Sequence, residues 1–467
     1  MSTTHEAGWA HAPGGLRGPA WLQPPGDPDA LVPHLWPSTA QKVDGVLHVG
    51  GLSVPDLVAN VNTPAYVLDE ADFRMRAGAF RDAFAAYDVF YAGKAFLCTA
   101  VARWVQEEGL CLDVCSDGEL SVALRAGFDP ARIGYHGNNK TVTELRRALS
   151  VGIGRIIVDS FEELARLEMI TAESGMRASV MVRVTAGVEA HTHEYIATAH
   201  EDQKFGFSIT SGDAFEAVRR AEAAPGLDLV GLHSHIGSQI FDSSGFEVAA
   251  RRVLALQARV SKELGVTLPE MDLGGGFGIA YTTQDDPAEP AQLATEMTKI
   301  VEHECRALGI PAPHLSIEPG RAIVGPAMCT VYTVGTVKPV QLDGGAVRTY
   351  VSVDGGMSDN IRTALYDADY SCTLASRPST GRPVLARVVG KHCEAGDIVV
   401  KDEFLPGDVR PGDLVAVPGT GAYCRSMASN YNHALRPPVV AVRDGVARVL
   451  VRRETEDDLL ATDMGDR

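Results

Sequence analysis

The sequence has no apolar run that approaches membrane-spanning length, so it offers no candidate for a transmembrane helix. It has no excess of positive charge. Lys and Arg number 42 against 60 Asp and Glu, a net charge of −18. A nucleic-acid partner, which asks for a basic face, is therefore not expected. It also lacks a disulfide framework: the 8 cysteines are scattered, and Cys111 and Cys329 sit inside apolar stretches. That usage fits a reduced, cytoplasmic compartment. Residues 1–40 carry Trp9, Trp21, Trp36 and many prolines but no basic start followed by an apolar core. They read as a flexible leader and not as a signal peptide. What is present is a chain of 467 residues, 45% hydrophobic and 22% charged, long enough for two domains of ordinary globular composition.

From Ala71 to Arg321 helical and strand patterns alternate. The first helix is expected over Ala71–Tyr87, with Phe73, Ala77, Phe80, Phe84 and Tyr87 on one stripe. A strand running from Asp88 to Lys94 follows. Further β-type runs stand at Cys111–Val114, Ile133–His136, Arg155–Val158, Ser179–Val184, Leu229–Ser234, Glu270–Leu273 and His314–Ile317. Helical segments such as Val142–Leu149, Phe161–Ser174, Phe246–Leu264 and Pro290–Leu308 separate them. Eight strands alternating with eight helices predict a (β/α)8 TIM-type barrel over 70–320 in preference to a doubly wound open sheet. Beyond Arg321, short Val-rich runs punctuated by Gly, Pro and Asp predict an all-β domain, a β-sandwich or Greek-key barrel, over 321–455. Val46–Val49 and Ala65–Leu68 read as strands able to pair with those later segments. That would add 41–69 to a discontinuous β domain and leave 456–467 as a tail.

Barrel chemistry is built where strands end. Those positions hold Lys94, Asp113, His136, Asp159, Arg183, His235, Gly274–Gly276 and Glu318–Arg321. Lys94 closes an apolar strand, where an amine must either snorkel to solvent or lose water and become a nucleophile for a carbonyl, that of pyridoxal phosphate above all. Gly274-Gly275-Gly276 would let a phosphate approach the backbone, though a plain turn explains glycines equally well. Glu318 could pair with a protonated pyridine nitrogen and Arg321 could hold an anion; the same tetrapeptide also suits a surface turn. His233 and His235 lie two apart, a spacing that puts both on one face of a strand and invites a metal reading, as do Cys111 and Cys115. No cluster of Cys or carboxylates accompanies the histidines, and His191 and His193 lie in a loop, so no metal is expected. A stacking role for an imidazole, with Ser238 donating to phosphate, suits the neighbours better. Cys393, taken alone, reads as a buried cysteine in a hairpin.

Together these residues resemble the diaminopimelate decarboxylases, over about Val46 to Leu460. The motifs are Tyr91-Ala-Gly-Lys94-Ala-Phe96, His235-Ile-Gly-Ser-Gln239, Gly274-Gly-Gly-Phe-Gly278, Glu318-Pro-Gly-Arg321, Asp354-Gly-Gly-Met-Ser-Asp359, Cys393-Glu-Ala-Gly-Asp397 and Gly421-Ala-Tyr-Cys424. The resemblance implies an alanine-racemase-like barrel with a β domain, bound to pyridoxal 5'-phosphate. It implies that Lys94 forms the Schiff base, that His235 stacks on the ring and that Glu318 meets the ring nitrogen. Ser238, Gly276, Gly320 and Arg321 would lie around the phosphate or the substrate carboxylate, with Tyr423 and Asp113 also at the cofactor. Cys393 would reprotonate the substrate carbon. Glu394 would meet the distal amine, and Arg362 and Tyr366 the distal carboxylate, with Arg321 and Tyr423 completing the substrate set.

The implied reaction is decarboxylation of meso-2,6-diaminopimelate to L-lysine, in a homodimer whose Cys393 segment serves the partner's site. Two departures from the family pattern stand out. Gly93 replaces a serine or another side chain and should only loosen the approach to the cofactor, whereas Ala395 replaces a serine and removes a hydroxyl near the substrate end. The alternatives are a decarboxylase of ornithine, arginine or carboxynorspermidine, or an inactive relative that regulates a partner. A racemase would want a tyrosine base in place of the Cys393 turn.

Overall fold

The computed structural model describes residues 18–19, 21–27, 29–187, 204–342 and 345–465. Among them the chain forms two compact units. One comprises Arg74–Gly278 with Pro287–Ala322; the other comprises Ile279–Asp286, Ile323–Arg467 and the segment up to Phe73.

The first unit is a closed barrel. Its strands are β1 (Tyr87–Ala92), β2 (Cys111–Val114), β3 (Ile133–Tyr135), β4 (Arg155–Val158), β5 (Ala178–Thr185), β6 (Leu227–His233), β7 (Glu270–Asp272) and β8 (His314–Ile317). Each pairs in parallel with the next, and β8 returns to β1 through Leu315–Tyr87 and Ile317–Val89. Runs such as Ile156-Ile157-Val158 are buried throughout, as expected for parallel strands covered on both faces. The helices between them start on polar caps. The Ser116 and Ser160 hydroxyls accept from backbone N–H groups three residues on, and Thr141 forms a capping box with Glu144. Glycines in the left-handed region end several of them, at Gly127, Gly175, Gly265 and Gly309.

One boundary differs from expectation. The first helix is Glu70–Ala83, and Tyr87 opens β1 instead of closing the helix. The Tyr87 N–H donates to Phe84 O at 2.8 Å, a tight turn that reverses the chain so that Phe84 and Tyr87 meet edge to face. The expected stripe survives as buried Phe73, Ala77, Phe80 and Phe84.

The second unit is built on a nine-stranded sheet. Ala65–Asp69 lies inside it, antiparallel to Met328–Gln341 and parallel to Val439–Arg443. Val347–Val353, Pro383–Val389 and Ile398–Pro406 extend one side, and Val446–Val451 forms the opposite edge. Val46–Val49 does not join these strands. It pairs with Gln41–Val43 and Leu52–Ser53 in a small sheet of its own, because the short turns on either side close local hairpins first. The expected flexible leader also ends earlier than residue 40. Leu35 and Trp36 are buried in a core with Leu47, Val49 and Val331, and Leu31 and Val32 pack against it. Four apolar side chains within six positions suffice to anchor that stretch. No helix among the described residues is long and apolar enough to cross a membrane.

Candidate active site

The carboxyl ends of the barrel strands enclose a cavity of about 310 Å³. Lys94 is on its wall, though not as a buried strand-end residue. β1 stops at Ala92, and a turn closed by Ala95 N–H to Ala92 O at 3.1 Å carries Lys94 out to an exposed position. Gly93 is a steric necessity and not a loosened approach. A Cβ there would stand 2.7 Å from Asp113 O, the carbonyl to which the Gly93 N–H donates at 3.0 Å.

Ionisable groups crowd together on the cavity wall. Glu318, one residue past β8, is buried, and its Oε1 lies 2.8 Å from His233 Nε2 and 3.4 Å from His136 Nε2. His136 Nε2 is also 3.1 Å from Asp113 Oδ1. Burial pulls both imidazoles below their ordinary range, His233 far below, so both are neutral near pH 7. Burial, followed by the Glu318 charge, pushes the Asp113 carboxyl well up, and Asp113 Oδ2 is buried with no hydrogen-bond partner.

His235, two residues past β6, lines the same cavity. Its Nδ1 accepts from Gly275 N–H at 3.1 Å, which leaves the proton on Nε2, and burial with the nearby Lys94 charge keeps the ring neutral. The two histidines therefore do not share a strand face: His233 turns to Glu318 and His235 to the glycine turn. Arg321 Nη2 donates to Ser238 Oγ at 2.9 Å, joining the guanidinium to the loop after β6. Gly276 has φ of 104°, and a Cβ there would stand 2.5 Å from Gly237 O. At Gly320 a Cβ would meet Ala92 O at 3.0 Å.

The remaining candidates belong to the second unit. Arg362 is buried; its Nη1 donates to Tyr370 Oη at 2.6 Å, and its guanidinium lies 4.5 Å from the Tyr281 ring centroid. No carboxylate among the described residues pairs with it, and its Nε is buried without a partner. Tyr366 ends the same short helix, half-buried. Cys393 and Glu394 are exposed, which corrects the reading of a buried hairpin cysteine. Asp397 shapes that turn by accepting from His392 N–H at 2.7 Å and Met357 N–H at 2.6 Å, leaving the thiol outside it. Glu394 Oε1 accepts from Tyr431 at 2.6 Å. Tyr423 holds φ of 63°, an uncommon conformation for a side chain of its size.

Several residues of the site had no usable signal in the sequence. Tyr370 and Tyr281 are separated from Arg362 by no helical spacing, and the Lys140–Glu163 ion pair joins the loop after β3 to the helix after β4. His136 was visible only as a polar residue at a strand end, and His233 only through its spacing from His235. With Glu318 they form a group of nitrogen and oxygen atoms within 4.8 Å, close enough for one cation. Their hydrogen bonds already account for the arrangement. Cys111 and Cys115 join no such cluster among the described residues, and His191 and His193 lie outside them.

The donor set suits pyridoxal phosphate. An exposed amine, a flat neutral imidazole and a buried carboxylate line a cavity that also offers the partnerless Asp113 Oδ2. An arginine with a serine hydroxyl beside a glycine turn supplies what a phosphate needs.

Comparison with known proteins agrees. The family model described as "Pyridoxal-dependent decarboxylase, pyridoxal binding domain" matches residues 70–325. A diaminopimelate decarboxylase of Mycobacterium tuberculosis is 56% identical over 440 residues, 93% of this chain and 98% of the relative. One of Mycobacterium leprae is 53% identical over 452 residues, 96% of each. The crystal structure of diaminopimelate decarboxylase from M. jannaschii in co-complex with L-lysine is similar with a TM-score of 0.85 at 30% identity, covering 92% of this chain and 98% of that one.

Proposed function

The chain belongs to the diaminopimelate decarboxylase family of pyridoxal-dependent enzymes, and we propose from that footing how its residues divide the work. The reaction takes one carboxyl group of meso-2,6-diaminopimelate away as carbon dioxide and leaves L-lysine, the last step of lysine biosynthesis. The observation that carries the reading is the barrel cavity lined jointly by Lys94, His235 and Glu318. Pyridoxal phosphate supplies, when bound, an electron sink for the pair left behind by carbon dioxide.

Lys94 offers the amine that holds the cofactor aldehyde and is released when the substrate amine takes its place. His235, neutral and pinned by Gly275, presents a flat face without adding charge. Glu318 faces the ring nitrogen, with Asp113 near it across His136. Arg321 and Ser238, with Gly276 and Gly320, receive the phosphate, and Arg321 with Tyr423 borders the substrate. Arg362, buried and lacking an acid, is the counter-charge for the distal carboxylate, with Tyr366 nearby on the same helix. Glu394 meets the distal amine.

Cys393 gives its thiol proton to the carbon that lost the carboxyl group and regains one from solvent. Its exposure supports a homodimer in which each Cys393 turn serves the partner's barrel. Eight free cysteines support a cytoplasmic location.

The test incubates purified protein and pyridoxal phosphate with meso-diaminopimelate, ornithine or lysine in parallel, following carbon dioxide. Release from diaminopimelate alone is expected. Release from ornithine or lysine in preference, or from none, overturns the reading.

A further inference from the structure

His233 is the last residue of β6, fixed in register between Arg183 of β5 and Asp272 of β7. It is 1% exposed. Its two ring nitrogens have unequal surroundings: Nε2 lies 2.8 Å from Glu318 Oε1, and Nδ1 is buried with no hydrogen-bond partner. A neutral imidazole carries one proton, and only at Nε2 does that proton meet an acceptor. His233 therefore donates to Glu318. His136 packs edge to face against the ring at 5.2 Å between centroids. His136, which follows β3, in turn lies near both Glu318 and Asp113, so one carboxylate oxygen of Glu318 is approached by two imidazoles carried by strands that are not adjacent in the barrel.

We propose that His233 is a positioning residue that locks Glu318 by one oxygen, keeping the carboxylate oriented and charged for the cofactor's ring nitrogen. The inference rests on the reading that Glu318 faces that nitrogen. It differs from the roles of His235 and Lys94, since His233 acts only through Glu318. A charge-assisted hydrogen bond to a buried carboxylate holds it in one rotamer and opposes its protonation. Without it, the carboxylate loses its fixed donor on the β6 side.

The experiment compares apoprotein of wild type, His233→Ala and His233→Gln. The glutamine keeps an N–H donor near the Nε2 position. Three quantities are read: the dissociation constant for pyridoxal phosphate by fluorescence titration, the absorbance of the bound cofactor across the neutral pH range, and the melting temperature of each apoprotein. His233→Ala should bind the cofactor roughly tenfold to a hundredfold more weakly. It should also move the pH at which the bound cofactor's absorbance changes. His233→Gln should recover most of both at an apoprotein melting temperature close to that of wild type. A wild-type dissociation constant and pH profile in His233→Ala overturns the inference and leaves the reading of the site standing. A glutamine variant no better than alanine overturns it too, since the donor is then irrelevant. If wild-type apoprotein takes up no cofactor, the reading of the site itself falls.

Discussion

Arg362 keeps a buried positive charge with two tyrosines and no acid around it, an arrangement that waits for an anion. Replacing it with alanine should lower kcat/KM for diaminopimelate by roughly a hundredfold or more, because a site built around a carboxylate then offers it no partner. Steady-state rates decide the matter, and unchanged turnover removes Arg362 from substrate binding. Asp359 concerns stability. Burial pushes its carboxyl up to about 7 despite the hydrogen bonds from Tyr332 Oη and Gly356 N–H. The folded state therefore prefers the protonated form. The stability Asp359 contributes is complete below about pH 4 and is lost as pH rises to about 7, by up to about 4 kcal/mol. Asp359→Asn copies the protonated acid, its amide donating to Tyr332 and its carbonyl accepting from Gly356. Melting curves across that range should be flatter for the variant; parallel curves defeat the assignment. At this scale the sequence was most legible where a polar side chain follows an apolar strand, as at Glu318 and His235. It was silent on Tyr370, whose contact with Arg362 depends on how a loop folds back.

Elements were legible wherever one physical rule dominated. β2, β4 and β8 have the bounds their apolar runs suggest, because both faces are buried and little else competes. Phe161–Ser174 and Pro290–Leu308 agree as well, framed by their start and stop residues. The first helix ran past its true end in sequence because Phe84 and Tyr87 continue its periodicity while the backbone has already turned. Val46–Val49 was recognisable as a strand, but its partners were not, since a short Val-rich strand fits any sheet. Between elements, Lys140 links the loop after β3 to β4 and the following helix. Its Nζ donates to Gly137 O, Ile157 O and Glu163 Oε1 at 2.7–2.8 Å, while Glu163 Oε2 accepts from Asp159 N–H at 3.1 Å. Lys140→Met strands the Glu163 carboxylate and should cost about 3–5 kcal/mol in denaturant unfolding, partly recovered by adding Glu163→Leu. A loss under about 1 kcal/mol, the worth of a surface pair, contradicts it.

For the whole molecule, the shared-site proposal makes a prediction no single chain can satisfy. Lys94→Ala and Cys393→Ala proteins should each be nearly inactive. Mixed in equal amounts and allowed to exchange subunits, they should regain about a quarter of wild-type activity, because half of the dimers then carry one intact site of two. Additive, unrescued rates place Cys393 and Lys94 in the same subunit's site. The alternation of helices and strands made the barrel legible from composition and order alone, whereas the second unit is stitched from distant stretches that only their pairing joins. Ala65–Asp69 shows the consequence. Its two neighbours, Met328–Gln341 and Val439–Arg443, are both encoded after the last barrel strand. On the ribosome this strand emerges early and stays unmatched while every barrel strand is translated beside it. Its apolar Ala-Tyr-Val-Leu run is thus the piece of the nascent chain left longest without a mate, and the one a chaperone would have most time to find.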